Sequence, residues 1–168
     1  MDISKVTDSK AKTFLSAFLA NRQINKDYYD LVPEDKFDFR MVNTKDIKSD
    51  SPRENLAHQI QVQEDYTNAI IKKSLSFSAK PKSKYLKMTK QELMSKLEEA
   101  DKKLIDVLSD EKSLQPKVSV PWNKDGLDPI DMLWALNEHE ILHTGWNLAL
   151  MDHLGIERFP SLANMWGK

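Results

Sequence analysis

The sequence predicts an all-α protein, a four-helix bundle with long loops and a short C-terminal tail. Three observations carry the prediction. Glycine is scarce, with four in 168 residues, and none precedes Gly126. Long stretches repeat apolar residues every three to four positions, the period of a helix rather than a strand. Ser51, Thr89 and Asp128 each stand before such a stretch as a helix cap. The chain fits one domain, 1–168, able to bury about two-thirds of its unfolded surface.

The first stretch runs from about Asp8 to Val32, with Phe14, Leu15, Phe18, Leu19, Arg22, Tyr28, Tyr29 and Leu31 at helical spacing. Pro33 ends it, because a residue before proline is pushed out of the helical region. Residues 33–49 read as polar and extended, carrying Phe37, Phe39 and Met41. A second helix opens at Ser51-Pro52-Arg53-Glu54, with proline at the first helical position and Glu54 completing a capping box. It continues to about Ser74, and Phe77 to Met88 form a Lys/Ser/Pro loop.

Thr89 and Glu92 repeat the capping box before a third helix, whose core face is Leu93, Leu97, Ala100, Leu104, Val107 and Leu108. Between Asp110 and Gly126, Val118-Ser119-Val120-Pro121-Trp122 reads as a short extended ribbon or an ordered loop. The fourth helix starts at Asp128-Pro129 and runs to His153-Leu154, where Gly155 supplies the left-handed C-terminal residue. Four long helices with long connections make a bundle the natural architecture.

Charge and composition exclude several classes of function. With 25 basic and 26 acidic residues, the net charge is −1, giving no electrostatic reason to expect nucleic acid or an anionic membrane. The chain has no cysteine, so disulfides, thiolate ligands and a cysteine nucleophile on this chain are excluded. Met1 to Asp8 has no apolar core of signal-peptide length, and apolar runs fall far short of the ~20 residues that span a bilayer. A soluble, cytoplasmic protein is expected.

The chemistry gathers on histidine. His139 and His143 lie four residues apart, so on a helix their rings point the same way, about 5–6 Å apart at Cβ. Counting back reaches Leu136, Leu133 and Met132, and counting forward reaches Trp146 and Leu150, so the pair faces the core. Buried imidazoles need partners, since an unpaired buried polar group costs about 1–3 kcal/mol, and a divalent metal supplies one simply.

Literally, His139-Glu140-Ile141-Leu142-His143 is the HExxH of zinc proteases. The extended form would place Gly at 146 and His at 149, where this chain has Trp146 and Ala149. Glu157 lies past the helix stop, and almost no strand is available to hold a peptide, so the protease reading is set aside. His58, on the second helix, is the better third ligand, leaving a position open for water or substrate. His153 lies ten residues beyond His143, about 15 Å along the axis, and reads as a last-turn cation. Glu54 and Glu140 are candidates to orient an imidazole N–H. Trp122 and Trp146 are candidates for the pocket rim, while the tryptophans at 122, 134, 146 and 166 read mainly as core or interface residues.

These motifs resemble the DinB-like (YfiT-like) family of metal-dependent enzymes. The matching runs are Ser51-Pro52-Arg53-Glu54-Asn55-Leu56-Ala57-His58, then Trp134 to Gly145, then Leu150-Met151-Asp152-His153-Leu154-Gly155. Tyr29-Asp30-Leu31-Val32-Pro33-Glu34, closing the first helix, is also similar. The resemblance implies up-down-down-up topology, frequent dimers, and zinc or nickel on His58, His139 and His143. Thr144-Gly145-Trp146 departs from the basic residue and Gly-Gln of many members, with Trp146 reshaping the pocket floor.

A three-histidine centre with an open position supports two enzyme readings. One is a thiol-dependent S-transferase or isomerase acting on a small electrophile, as in some relatives, with the low-molecular-weight thiol coming from solution. The other is hydrolysis of a small substrate, for which the sequence offers no obvious general base. A third reading is a non-catalytic metal-containing binding or stress-response protein. Expected partners are a small-molecule substrate and a second copy of the chain.

Overall fold

The computed structural model describes residues 1–77 and 82–167, except for the side chain of Trp166. Residues 78–81, inside the expected Lys/Ser/Pro loop, and the reading of Trp166 as a core or interface residue therefore lie outside the described residues.

Four long helices form where the caps predict them. α1 spans Ser9–Leu31, with the Asp8 side chain accepting from the Ala11 N–H. α2 spans Pro52–Lys72 and α3 spans Lys90–Leu108, each opened by the full capping box, Ser51 with Glu54 and Thr89 with Glu92. α4 spans Pro129–Leu154 and ends at Gly155, whose φ of 68° is the left-handed value that favours glycine. The tail adds a short α5, Pro160–Trp166. Val118–Val120 (β1) and Asn123–Leu127 (β2) pair as an antiparallel hairpin, settling the ribbon-or-loop alternative.

Contacts fix the directions. Phe14 packs edge-on against Trp134, Asn21 bonds Asn137, and Asn25 bonds Glu140, so α1 and α4 run parallel. Gln63 bonds Asp101 and Lys103 bonds Asn68, so α2 and α3 also run parallel. Lys26 reaches Glu98 and Lys90 reaches the Val32 carbonyl, making α1 and α3 antiparallel. The result is the up-down-down-up bundle.

The core is two apolar clusters. One joins Phe14, Leu15 and Phe18 with Ile70, Leu104, Leu108 and Leu133; the other joins Tyr28, Tyr29, Leu56, Ile60, Leu93, Leu97 and Leu150. A buried polar layer separates them. The Arg22 guanidinium, 1% exposed, donates to Gln63 Oε1 (2.7 Å) and pairs with Asp101 (3.4 Å) and Glu140 (3.2 Å), so one side chain of α1 touches all three other long helices. Asn25 donates to Glu140 Oε1 at 2.6 Å and accepts from Asn147 Nδ2 at 2.8 Å. Burial lifts the carboxyls of Asp101 and Glu140 above the usual range, against the pull of Arg22.

The segment before α2 folds back on itself. Asn43 pairs with Lys48 as an isolated antiparallel bridge, and the Thr44 N–H donates to the Ile47 carbonyl. This places Lys48 and Asp50 beside the first turns of α2. No helix among the described residues is long and apolar enough to cross a membrane.

Candidate metal centre

His58 projects from the second turn of α2, and His139 and His143 project from consecutive turns of α4. His139 Nε2 lies 3.1 Å from His58 Nε2 and 3.2 Å from His143 Nε2. Two ligands of a tetrahedral zinc at 2.0–2.1 Å stand about 3.3–3.4 Å apart, so His139 Nε2 is near ligand spacing from both other rings, and one ligand atom from each of the three lies within 4.8 Å of the others. The structure brings together His58, His139 and His143, the three histidines singled out in the sequence, and among the described residues they are the group that could hold a metal ion.

Protonation agrees with that role. Burial first, then the neighbouring His58 ring and Arg22, pushes His139 down to about 4. His143 is held lower still by burial and by His139, and His58 is lowered by burial and then by Lys82. At neutral pH all three rings are uncharged. A neutral ring has one N–H and one lone pair. Three Nε2 atoms this close cannot satisfy one another through hydrogen bonds, whereas one cation accepts three lone pairs. The protons then sit on Nδ1, which in His58 and His139 is buried with no acceptor among the described residues.

The cluster opens into a cavity of about 410 Å³ also lined by Lys48, Asp50, Asn55, Leu142 and Trp146. Asp50 is ion-paired with Lys82. Leu142 and Trp146 give the cavity an apolar wall. A larger cavity, about 480 Å³, lies between the N-termini of α2 and α3, where Arg53 is committed to Asp38 and Arg40 to Glu54.

Residues 17–146, which carry all three histidines, match the DinB superfamily. The chain belongs to that superfamily. A DinB-like protein of Bacillus subtilis, YjoA, has a similar crystal structure, with a TM-score of 0.65 at 19% identity over 88% of this chain and 95% of that one. At that identity the likeness speaks for the fold. No curated protein matches the chain.

Within this DinB-superfamily site, Trp146 reaches the cavity as expected, and three other expectations are corrected. Trp122 sits in the turn of the β-hairpin, 52% exposed. That hairpin is bonded to Lys73 and Leu75 at the far end of α2 from His58, fifteen residues or about 22 Å away along the axis. Glu54 stands at the third helical position, where its carboxylate turns back to the Ser51 N–H and to Arg40 at 2.6 Å instead of reaching an imidazole. Glu140 points into the core, where its carboxylate meets Asn25 and Arg22 instead of an imidazole N–H. His153 lies in the last turn of α4, as expected.

Lys48, Asp50 and Asn55 were missed as pocket residues. Asn55 had a signal, three residues before His58 and so on the same helical face. Lys48 and Asp50 had none, since only closure of the 43–48 turn brings them in.

Proposed function

We propose that this protein is a divalent-metal-dependent enzyme that transfers a low-molecular-weight thiol to a small electrophile. The observation that carries the proposal is the convergence of three uncharged Nε2 atoms, 3.1 and 3.2 Å apart, beside a solvent-open cavity. Zinc or nickel suits imidazole ligation. When bound, such an ion supplies Lewis acidity that lowers the pKa of a coordinated thiol or water. His58, His139 and His143 would hold it without adding negative charge, which favours an anionic sulfur at the remaining position. Leu142 and Trp146, which line the cavity, offer an apolar surface to the body of a small electrophile. With no cysteine in the chain, the thiol comes from solution.

A second reading, hydrolysis of a small substrate, is favoured by one observation: the Asp50 carboxylate lines the same cavity and is placed to take a proton from water. The two readings separate on Co(II)-substituted protein. Thiol transfer requires a sulfur-to-cobalt charge-transfer band when a low-molecular-weight thiol is added. If no thiol gives one, thiol transfer is wrong. Thiol-independent turnover lost in Asp50→Asn would favour hydrolysis. A purely structural metal predicts neither response, with only a lower melting temperature on chelation.

We also infer a homodimer from the uncharged exposed strip of α4, Ile141, Leu142, Gly145, Trp146 and Ala149, with Leu142 73% exposed. A second copy brings a matching apolar strip. Sedimentation of the native protein against Leu142→Glu tests this, and a native monomer at micromolar concentration would refute it.

A further inference from the structure

We propose that two copies of the chain pair antiparallel along α4, with Glu138 of each set against His153 of the partner subunit. The proposal rests on the homodimer reading above and deepens it. It fixes which residues meet, and it places the interface on the edge of the three-histidine cavity.

From Glu138 to His153 the exposed face of α4 has three parts. Glu138 opens it, the uncharged residues Ile141, Leu142, Gly145, Trp146 and Ala149 follow, and Asp152 and His153 close it. The Asp152 carboxylate is already met by Arg158 at 2.9 Å, which leaves His153 as the group that end offers to a carboxylate. Each end of the strip therefore complements the opposite end and not itself. An antiparallel second copy brings His153 to Glu138 twice, once at each end, whereas a parallel copy sets Glu138 against Glu138. That complementarity is why the occupant is a second copy of this chain.

Gly145 and Trp146 stand at the midpoint of that span. A Cβ added to Gly145 meets nothing within 4 Å, and the residue lies well inside the helix, so packing within the chain does not require glycine there. Glycine weakens a helix interior relative to alanine, and a missing side chain lets another backbone come close. The midpoint is where a two-fold axis brings the two helices together. In the same register Leu142 packs over Ala149 of the partner subunit, large against small. Leu142 and Trp146 also line the cavity of His58, His139 and His143, so the pairing covers Leu142 and sets each cavity beside the interface.

The chain has no cysteine, so introduced cysteines report the pairing without background. Glu138→Cys and His153→Cys are made singly, both at exposed positions, and treated with a short bismaleimide. Positions 138 and 153 are about 22 Å apart along the helix, so neither variant alone should cross-link, while an equimolar mixture of the two should. Parallel pairing predicts the reverse. In sedimentation, His153→Glu places like charges together at both ends and should weaken dimerisation about tenfold. Adding Glu138→Lys to it should recover the native strength. A native protein that is monomeric at micromolar concentration defeats both the homodimer reading and this one. A native dimer that cross-links in the single variants, or whose His153→Glu defect survives Glu138→Lys, overturns the antiparallel register and leaves the homodimer standing.

Discussion

His139 and Glu140 are neighbours in sequence and face different sides of α4: His139 Nε2 meets His58 at 3.1 Å in the cavity, while Glu140 Oε2 meets Arg22 at 3.2 Å in the core. Successive helical residues diverge by about 100°, so a glutamate beside a ligand histidine need not share its chemistry. Here the divergence divides labour: one residue joins the three-histidine cluster and the next ties α4 to the buried polar layer behind it.

Arg22 is the residue whose loss should cost most in that layer. Arg22→Met leaves Asp101 and Glu140 buried without their cation, and removing one partner of a buried ion pair costs about 3–5 kcal/mol. Glu140→Gln keeps an oxygen for Asn25 but turns an N–H toward Arg22, for a smaller loss of about 1–3 kcal/mol. Urea unfolding measures both. Metal content should stay the same in Glu140→Gln, and a loss of metal there would place Glu140 in the centre after all.

The ligand set predicts stoichiometry. Native protein purified with zinc should hold one ion per chain, and His58→Ala, His139→Ala and His143→Ala should each lose most of it, since two imidazoles remain where three converged. His153→Ala, ten residues beyond His143, should lose none. Elemental analysis of the dialysed proteins decides, and full occupancy in His58→Ala would remove the centre.

Those histidines were legible because their signals are local: His139 and His143 share a face by spacing, and His58 follows a capping box that fixes the start of α2. The polar layer was not. Arg22 falls in the helical repeat of α1 among Phe14, Phe18 and Tyr29, and only packing shows that Gln63, Asp101 and Glu140 meet it from three other helices. Lys48 and Asp50 were hidden for the same reason. Trp122 was misplaced because nothing local says that the hairpin docks on Lys73 and Leu75 at the remote end of α2.

That hairpin yields a prediction of its own. Gly126 has φ of +69°, and a Cβ there would lie 2.9 Å from the Val118 carbonyl oxygen, a backbone atom with little room to move. Gly126→Ala combines left-handed strain with a clash, for an expected loss of about 1–3 kcal/mol. Thermal melting measures it. Because the hairpin sits away from the histidines, metal content should be unchanged, and a loss of metal would mean that the two ends of the bundle are coupled.

Acid should act on the centre through the same burial that keeps its rings neutral. In the unfolded chain a histidine titrates near 6.5, whereas in the fold His139 titrates near 4 and His143 lower. Between those values the unfolded state binds more protons, so stability of the metal-free protein falls as the pH drops from about 6.5 toward 4. Asp101 and Glu140 work in the opposite sense, since their carboxyls are raised in the fold and bind protons there first, so acid favours the fold through them. The two contributions separate by substitution. His143→Gln cannot charge, so it should flatten the loss between pH 6.5 and 4 while leaving the carboxyl contribution in place. Chelator-treated native and variant proteins, unfolded in urea at half-unit pH steps, give the slopes directly. Equal slopes in the two proteins would show that His143 is charged or exposed in the folded state, contrary to its burial against His139.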